Sequence, residues 1–205
     1  MIPDLETCFS LLRDYRVPVH IVGHSVVVTK IAVVLGEALR VQGLDQDMSL
    51  LAAAGLLHDI AKLESITTGV DHALLGGQWL EALGFSEVAM VVRHHIHLEP
   101  APWQPVDEKE LVFYADKRVK HVEIVSLDHR FADLRDRYGK NVSSLGSLGN
   151  MEKLTRELEK KIFSPLSWRP DEVVTVVDAS ANGQRRLLDR IAALYEKYID
   201  IHPEV

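Results

Sequence analysis

The chain has 205 residues, 47% of them apolar, a formal net charge of −7 and a single cysteine, Cys8. That length and apolar share suit a globular domain with a real buried core, and one cysteine excludes an intrachain disulfide. An acidic chain with no basic stripe argues against general nucleic-acid binding. The opening run MIPDLETCFSLLRDYR lacks the basic and apolar regions of a signal peptide. The longest uncharged stretch, Val17 to Thr29, is shorter than the roughly 20 residues that span a bilayer. The expectation is a soluble, cytoplasmic protein with no membrane partner.

The elements follow in chain order. Leu5, Phe9 and Leu12 recur at helical spacing over residues 4–15. Arg16-Val17-Pro18 interrupts that helix, and a long apolar helix runs from Val19 to Gln42 with Gly43 as its C′ residue. His20 and His24 share one face of it. Asp45 or Asp47 starts the next helix, which ends in the run AAAGLLHD. Its small side chains let neighbouring helices approach closely. Asp71 caps a helix from His72 to Leu83, closed by Gly84, and Ser86 caps one from Glu87 to His94. Three prolines make residues 97–106 a loop. Asp107 and Glu110 form a capping-box pattern before a helix that carries Tyr114, Ala115 and Asp116. LDHRFADLRDRYG is a charged amphipathic helix, KNVSSLGSLGN a loop, and MEKLTRELEKKIF a helix with a Met151, Leu154, Leu158, Ile162 stripe. PDEVVTVVDA reads equally as helix or strand, and GQRRLLDRIAALYEKYI is a closing amphipathic helix. The fold class is all-α. A helical core over 1–125 would hold the site, with a helical C-terminal extension over 126–205 packed on it.

Chemistry concentrates in an ordered set of imidazoles and carboxylates: His24, the adjacent pair His58-Asp59, and Asp116. His72, His94 and His95 lie between the pair and the last aspartate. Neutral imidazole and carboxylate, with no thiolate, suit a first-row divalent metal: Fe, Mn, Co, Ni or Zn. Adjacent residues at a helix end aim two unlike ligands at one point, and the two oxygens of Asp59 allow it to bridge two ions. His94 and His95 stand about 100° apart on a helix and cannot point the same way; His94 is the preferred one of the two. Lys62, one turn after His58, is placed to meet a phosphate, and Lys117 and Arg118 are further candidates. Trp103, in the proline-rich loop, is a candidate lid or base contact.

The order histidine, His-Asp, distant aspartate resembles the HD superfamily of metal-dependent phosphohydrolases, across roughly residues 19–120. The lysine of HDIAK, the run DHALLGGQWL and the double histidine of VVRHH resemble elements of its di-metal branch. The resemblance implies that His24, His58, Asp59 and Asp116 hold one ion. It implies that Asp59, His72 and one or both of His94 and His95 hold a second. It further implies hydrolysis of a phosphate ester or anhydride of a nucleotide or related compound by a metal-bound hydroxide, with Asp59 and Lys62 as the catalytic residues. Lys62, Lys117 and Arg118 would bind the substrate. The chain departs from the cyclic-dinucleotide phosphodiesterases of the superfamily, since HHIHLEPAP contains no GYP, and matches the diadenosine tetraphosphate hydrolases in part. Two other readings stay open: a di-iron oxygenase on the same scaffold, and a non-enzymatic metal- or nucleotide-binding regulator. A homodimer is compatible with the helical C-terminal part.

Overall fold

Side-chain caps set where most of the helices begin. The computed structural model describes residues 1–99, 101–180 and 186–201. Helix α1 (Leu5–Asp14) starts at Asp4, whose carboxylate accepts from the Thr7 amide at 2.8 Å. Arg16, at φ 53°, turns the chain into α2 (Val19–Val41), which Gly43 closes at φ 82°. Asp47 caps α3 (Met48–Leu57) by accepting from Ser49 and Leu50. A short α4 (Lys62–Thr68) follows, then α5 (His72–Ala82) behind Asp71, and α6 (Ser86–His94). The expected capping box opens α7 (Glu108–Lys117): Asp107 accepts from the Glu110 amide at 3.0 Å and Glu110 accepts from the Asp107 amide at 3.3 Å. An antiparallel hairpin, β1 (Val119–Lys120) and β2 (Glu123–Ile124), leads to α8 (Leu127–Tyr138). α9 (Val142–Phe163), α10 (Val173–Ser180) and α11 (Arg186–Ile201) complete an all-α architecture relieved by that two-stranded ribbon.

Four local features differ from the sequence reading. Lys62 opens a helix instead of trailing one. Ser86 lies inside α6, and its hydroxyl donates to Glu81 rather than capping the helix. KNVSSLGSLGN is helical from Val142 onward, because Asn141 and Ser144 form a capping box and Leu148 continues the buried stripe through the glycines. The ambiguous 173–180 segment is helix. Pro100 and the first residues of the expected last helix, 183–185, lie outside the described residues.

The core is built around α2. It packs on α3, α7, α10 and α11. By length and composition α2 passes for a membrane-crossing helix, but 72% of its apolar window is buried inside the fold. The last helix is tied down where Tyr198 Oη donates to the Val17 carbonyl at 2.6 Å. The backbones of α2 and α3 come close at Gly55. A Cβ there would stand 2.6 Å from Thr29 Oγ1 and 3.0 Å from Thr29 Cα. Three residues after Gly55 comes His58, so this approach decides how near the α2 and α3 histidines lie. Overpacking such a contact costs about 1–3 kcal/mol. Gly55→Val is therefore expected to lower the urea midpoint with little change in the slope of the transition; a wild-type midpoint would show that α2 and α3 part freely there.

Candidate metal centre

Five helices bring six side chains to one place. α2 carries His24 in its second turn. The C-terminal end of α3 presents His58 and then Asp59, α5 begins with His72, His95 caps α6, and α7 offers Asp116 in its last turn. His24 Nε2 lies 3.0 Å from Asp116 Oδ1, and His58 Nε2 lies 3.7 Å from Asp59 Oδ2 and 3.9 Å from Asp116 Oδ1. Asp59 Oδ1 faces the other way, 2.9 Å from His72 Nε2 and 3.6 Å from His95 Nε2. His24, His58 and Asp59 make one group whose ligand atoms lie within 4.8 Å of one another; Asp59, His72 and His95 make a second. Asp59 belongs to both.

The backbone decides which nitrogens face inward. His24 Nδ1 donates to the His121 carbonyl at 2.9 Å, His58 Nδ1 to Gly55 at 2.7 Å and His95 Nδ1 to Val92 at 2.7 Å. The tautomers follow from those bonds: with the proton on Nδ1, each Nε2 turns a lone pair into the cluster. His58 Nε2 and Asp59 Oδ1 are buried there without a hydrogen-bond partner; the 2.9 Å approach of His72 to Asp59 Oδ1 lacks hydrogen-bond geometry. His72 Nε2 and His95 Nε2 face each other at 3.2 Å. An unsatisfied buried group costs about 1–3 kcal/mol. Converging lone pairs, with two of the buried atoms left unpartnered, fit a cation, and this donor set fits one or two first-row divalent ions.

Charge distribution supports that fit. Burial pushes the His58 imidazolium down to about 3, so His58 is neutral. Burial also lowers His95. For Asp59, burial opposes ionisation, yet His58, Lys62, His72 and His95 together hold its carboxyl well below the usual carboxylate range. Asp116 behaves alike: burial opposes its charge, and Lys117, His24 and Arg130 outweigh burial. His24 is raised, because Asp116 and Asp59 overcome the effect of burial.

A cavity of about 610 Å³ opens over the cluster, between α4 (Lys62, Ile66) and α8–α9 (Arg130, Leu134, Leu148, Met151). Lys62 Nζ stands at its edge, 3.0 Å from His72 Nε2 and 3.6 Å from Asp59 Oδ1. Lys117 lines the same space but is buried, its Nζ donating to Asp116 Oδ2 at 2.8 Å and to the His95 carbonyl at 2.7 Å. Two expectations are corrected. His95, not the preferred His94, joins the cluster; His94 is turned away on the helix, its Nδ1 donating to the Met90 carbonyl. Arg118 is buried behind the site, with its guanidinium spent on the Val125 carbonyl, Tyr114 Oη and the Pro170 carbonyl, which leaves it no reach to a substrate. Trp103 is 79% exposed and does not line the cavity. His97 accepts a supporting role: it pairs with Asp71, the cap of the helix that begins with His72.

Sequence reasoning passed over three contributors. The His121 carbonyl orients His24 from a left-handed backbone at φ 55°, and a main-chain oxygen leaves no mark in a sequence. Arg130 and Arg137 on α8 line the cavity. Their signal was present in RFADLRDR, but a charged helix face ordinarily points to solvent.

The family model of the HD domain matches residues 21–138, a stretch that runs from α2 through α8. An uncharacterised protein of Methanocaldococcus jannaschii is 29% identical over 156 residues, covering 69% of this chain and 90% of that protein. The tRNA (cytidine(56)-2'-O)-methyltransferase of Thermoplasma volcanium is 27% identical over 156 residues, covering 66% of this chain and 44% of the methyltransferase. No solved structure matches the chain. The placement of the two adjacent histidines has a direct test in metal content measured by elemental analysis after reconstitution. His95→Ala is expected to lose bound metal relative to wild type, and His94→Ala to retain it; the reverse pattern would return the role to His94.

Proposed function

The chain belongs to the HD domain family of metal-dependent hydrolases, and from that membership we propose that it hydrolyses a phosphate ester or anhydride of a nucleotide or related small compound. The observation that carries this reading is the convergence of histidine Nε2 atoms and two ionised aspartates beneath a cation-lined cavity, with His58 Nε2 and Asp59 Oδ1 buried and unpartnered. His24, His58, Asp59 and Asp116 would hold one divalent ion, and Asp59, His72 and His95 a second. A divalent ion bound there lowers the pKa of a coordinated water and polarises a phosphoryl oxygen.

The remaining work falls to the chain's own groups. Lys62 Nζ, held beside His72 and Asp59, donates to a non-bridging phosphoryl oxygen and fixes the phosphate against the centre. Lys117 lines the cavity with its ammonium engaged by Asp116 and the His95 carbonyl, and so locks Asp116 and the end of α6 in register. Leu134, Leu148 and Met151 form an apolar wall that excludes water and receives the uncharged part of the substrate. The cavity's size falls in the range of about 300–1,000 Å³ typical of small-molecule sites. Lys62, Lys117, Arg130 and Arg137 line it against Asp59 and Asp116, so positive charge gathers here in a chain whose net charge is −7. That local excess favours an anionic substrate over the neutral one an oxygenase reading would allow, and a small phosphorylated solute over a nucleic acid. We place the reaction in the cytoplasm, where such solutes are found.

Metal-reconstituted protein is expected to release phosphate or nucleoside products from a panel of mono-, di- and triphosphates, dinucleoside polyphosphates and cyclic dinucleotides. Asp59→Asn is expected to fall to background. Lys62→Ala, having lost a charge-assisted hydrogen bond, is expected to lose about ten- to a hundredfold in kcat/KM. Turnover by Asp59→Asn at the wild-type rate would end the hydrolase reading.

A further inference from the structure

Arg130 is not one of the six ligands, yet it stands half-buried at the cavity wall. Its side chain is 14% exposed, and its Nε is buried with no hydrogen-bond partner. One terminal nitrogen meets Asp133 Oδ2 at 3.5 Å, and the other lies 3.9 Å from Asp116 Oδ1. These are long contacts for a guanidinium, whose paired N–H···O distances run about 2.7–2.9 Å. Arg137, two turns further along α8, approaches the same carboxylate from the other side: its Nε donates to Asp133 Oδ1 at 3.1 Å, and its terminal nitrogen lies 2.9 Å from His121 Nε2. Lys120 also draws on Asp133, at 3.4 Å. One carboxylate therefore faces three cations. Asp116, the next acidic group, is already met by Lys117. Arg130 is largely shielded and Arg137 is 40% exposed; partly buried cationic donors in excess of their acceptors are stabilised when a ligand supplies the missing negative charge.

Resting on the hydrolase reading above, we propose that Arg130, with Arg137 behind it, binds a second phosphoryl group adjoining the one that reacts, so that the preferred substrate carries two or more linked phosphates. Asp133 splints the two arginines from beneath. The planar fork of Arg130 suits the paired oxygens of a phosphate as a lysine would not. In the anhydride cleaved, a water oxygen forms a new bond to the reacting phosphorus. The bond from that phosphorus to the bridging oxygen breaks, and the bridging oxygen leaves with its electron pair on the departing phosphate. The water proton passes to the departing phosphate or to solvent, and no oxidant or reductant is needed. Arg130 faces the oxygens on which that charge grows.

The test compares equilibrium binding of orthophosphate and methylenediphosphonate, whose carbon bridge resists hydrolysis, by calorimetry on the metal-loaded protein, with metal content checked after each titration. Wild type is expected to bind the bisphosphonate at least tenfold more tightly than orthophosphate. Arg130→Met should remove most of that preference, Arg130→Lys should restore part of it, and Arg137→Met should remove less. In turnover, Arg130→Met should lower kcat/KM for nucleoside di- and triphosphates more than for monophosphates. Equal affinity of wild type for both anions, or an undiminished preference in Arg130→Met, overturns the proposal. If Arg130→Met fails to fold, Arg130→Lys and Arg137→Met decide by the same criterion. The two readings fail separately: Arg130-dependent bisphosphonate binding without any hydrolysis sinks the hydrolase alone, and hydrolysis of di- and triphosphates indifferent to Arg130 sinks the second phosphate locus alone.

Discussion

Unshared electron pairs, gathered on the largely buried floor of a cavity, are the constraint around which this molecule is arranged. Imidazole Nε2 atoms and two ionised carboxylates meet at distances of 2.9 to 3.9 Å, and two of the inward atoms have no hydrogen-bond partner. Such a cluster repels itself unless a cation sits within it, or protons and ammonium groups stand in. Lys62 and Lys117 do part of that work from the two sides. The rest of the fold holds six side chains from five helices against their mutual repulsion.

It does so through close backbone packing and main-chain acceptors. Gly55 lets α3 settle on Thr29 of α2, and its own carbonyl then receives the His58 Nδ1 proton. One residue thereby sets both the distance between two helices and the tautomer of a histidine. Asp71 and the Asp107–Glu110 box start α5 and α7 at defined residues, which fixes where His72 and Asp116 fall on their helices. The helix ends thus belong to the chemistry as much as to the fold.

Much of this was legible in the chain itself. Caps at Asp71 and Asp107 and the glycines at 43 and 84 are short-range signals, because each acts through atoms within a few residues; the choice of Asp47 over Asp45 came from the structure. The histidine and aspartate order was legible since metal-binding chemistry restricts residue type. The choice between His94 and His95 was not: it depends on the rotation of α6 about its axis, which packing against α3, α5 and α7 determines. The hairpin at 119–124 escaped notice because two residues per strand carry no periodicity. Arg130 and Arg137 read as solvent-facing because α8 is strongly charged, and α9, which helps cover it, begins in a stretch of serines and glycines that reads as a loop. Arg118 misled in the opposite sense. Its neighbours in sequence face the site, while its own guanidinium closes contacts between distant segments.

The three inward-facing histidines with assigned tautomers lean on carbonyl oxygens of residues 55, 92 and 121. Peptide oxygens are present whatever amino acid stands there. A systematic replacement of side chains by alanine would pass over these supports wherever the backbone path survives, and would credit the histidines alone with the geometry. At residues 92 and 121 chain conformation, more than residue identity, is what natural variation has to preserve; at 55 the glycine itself is required by the contact with Thr29.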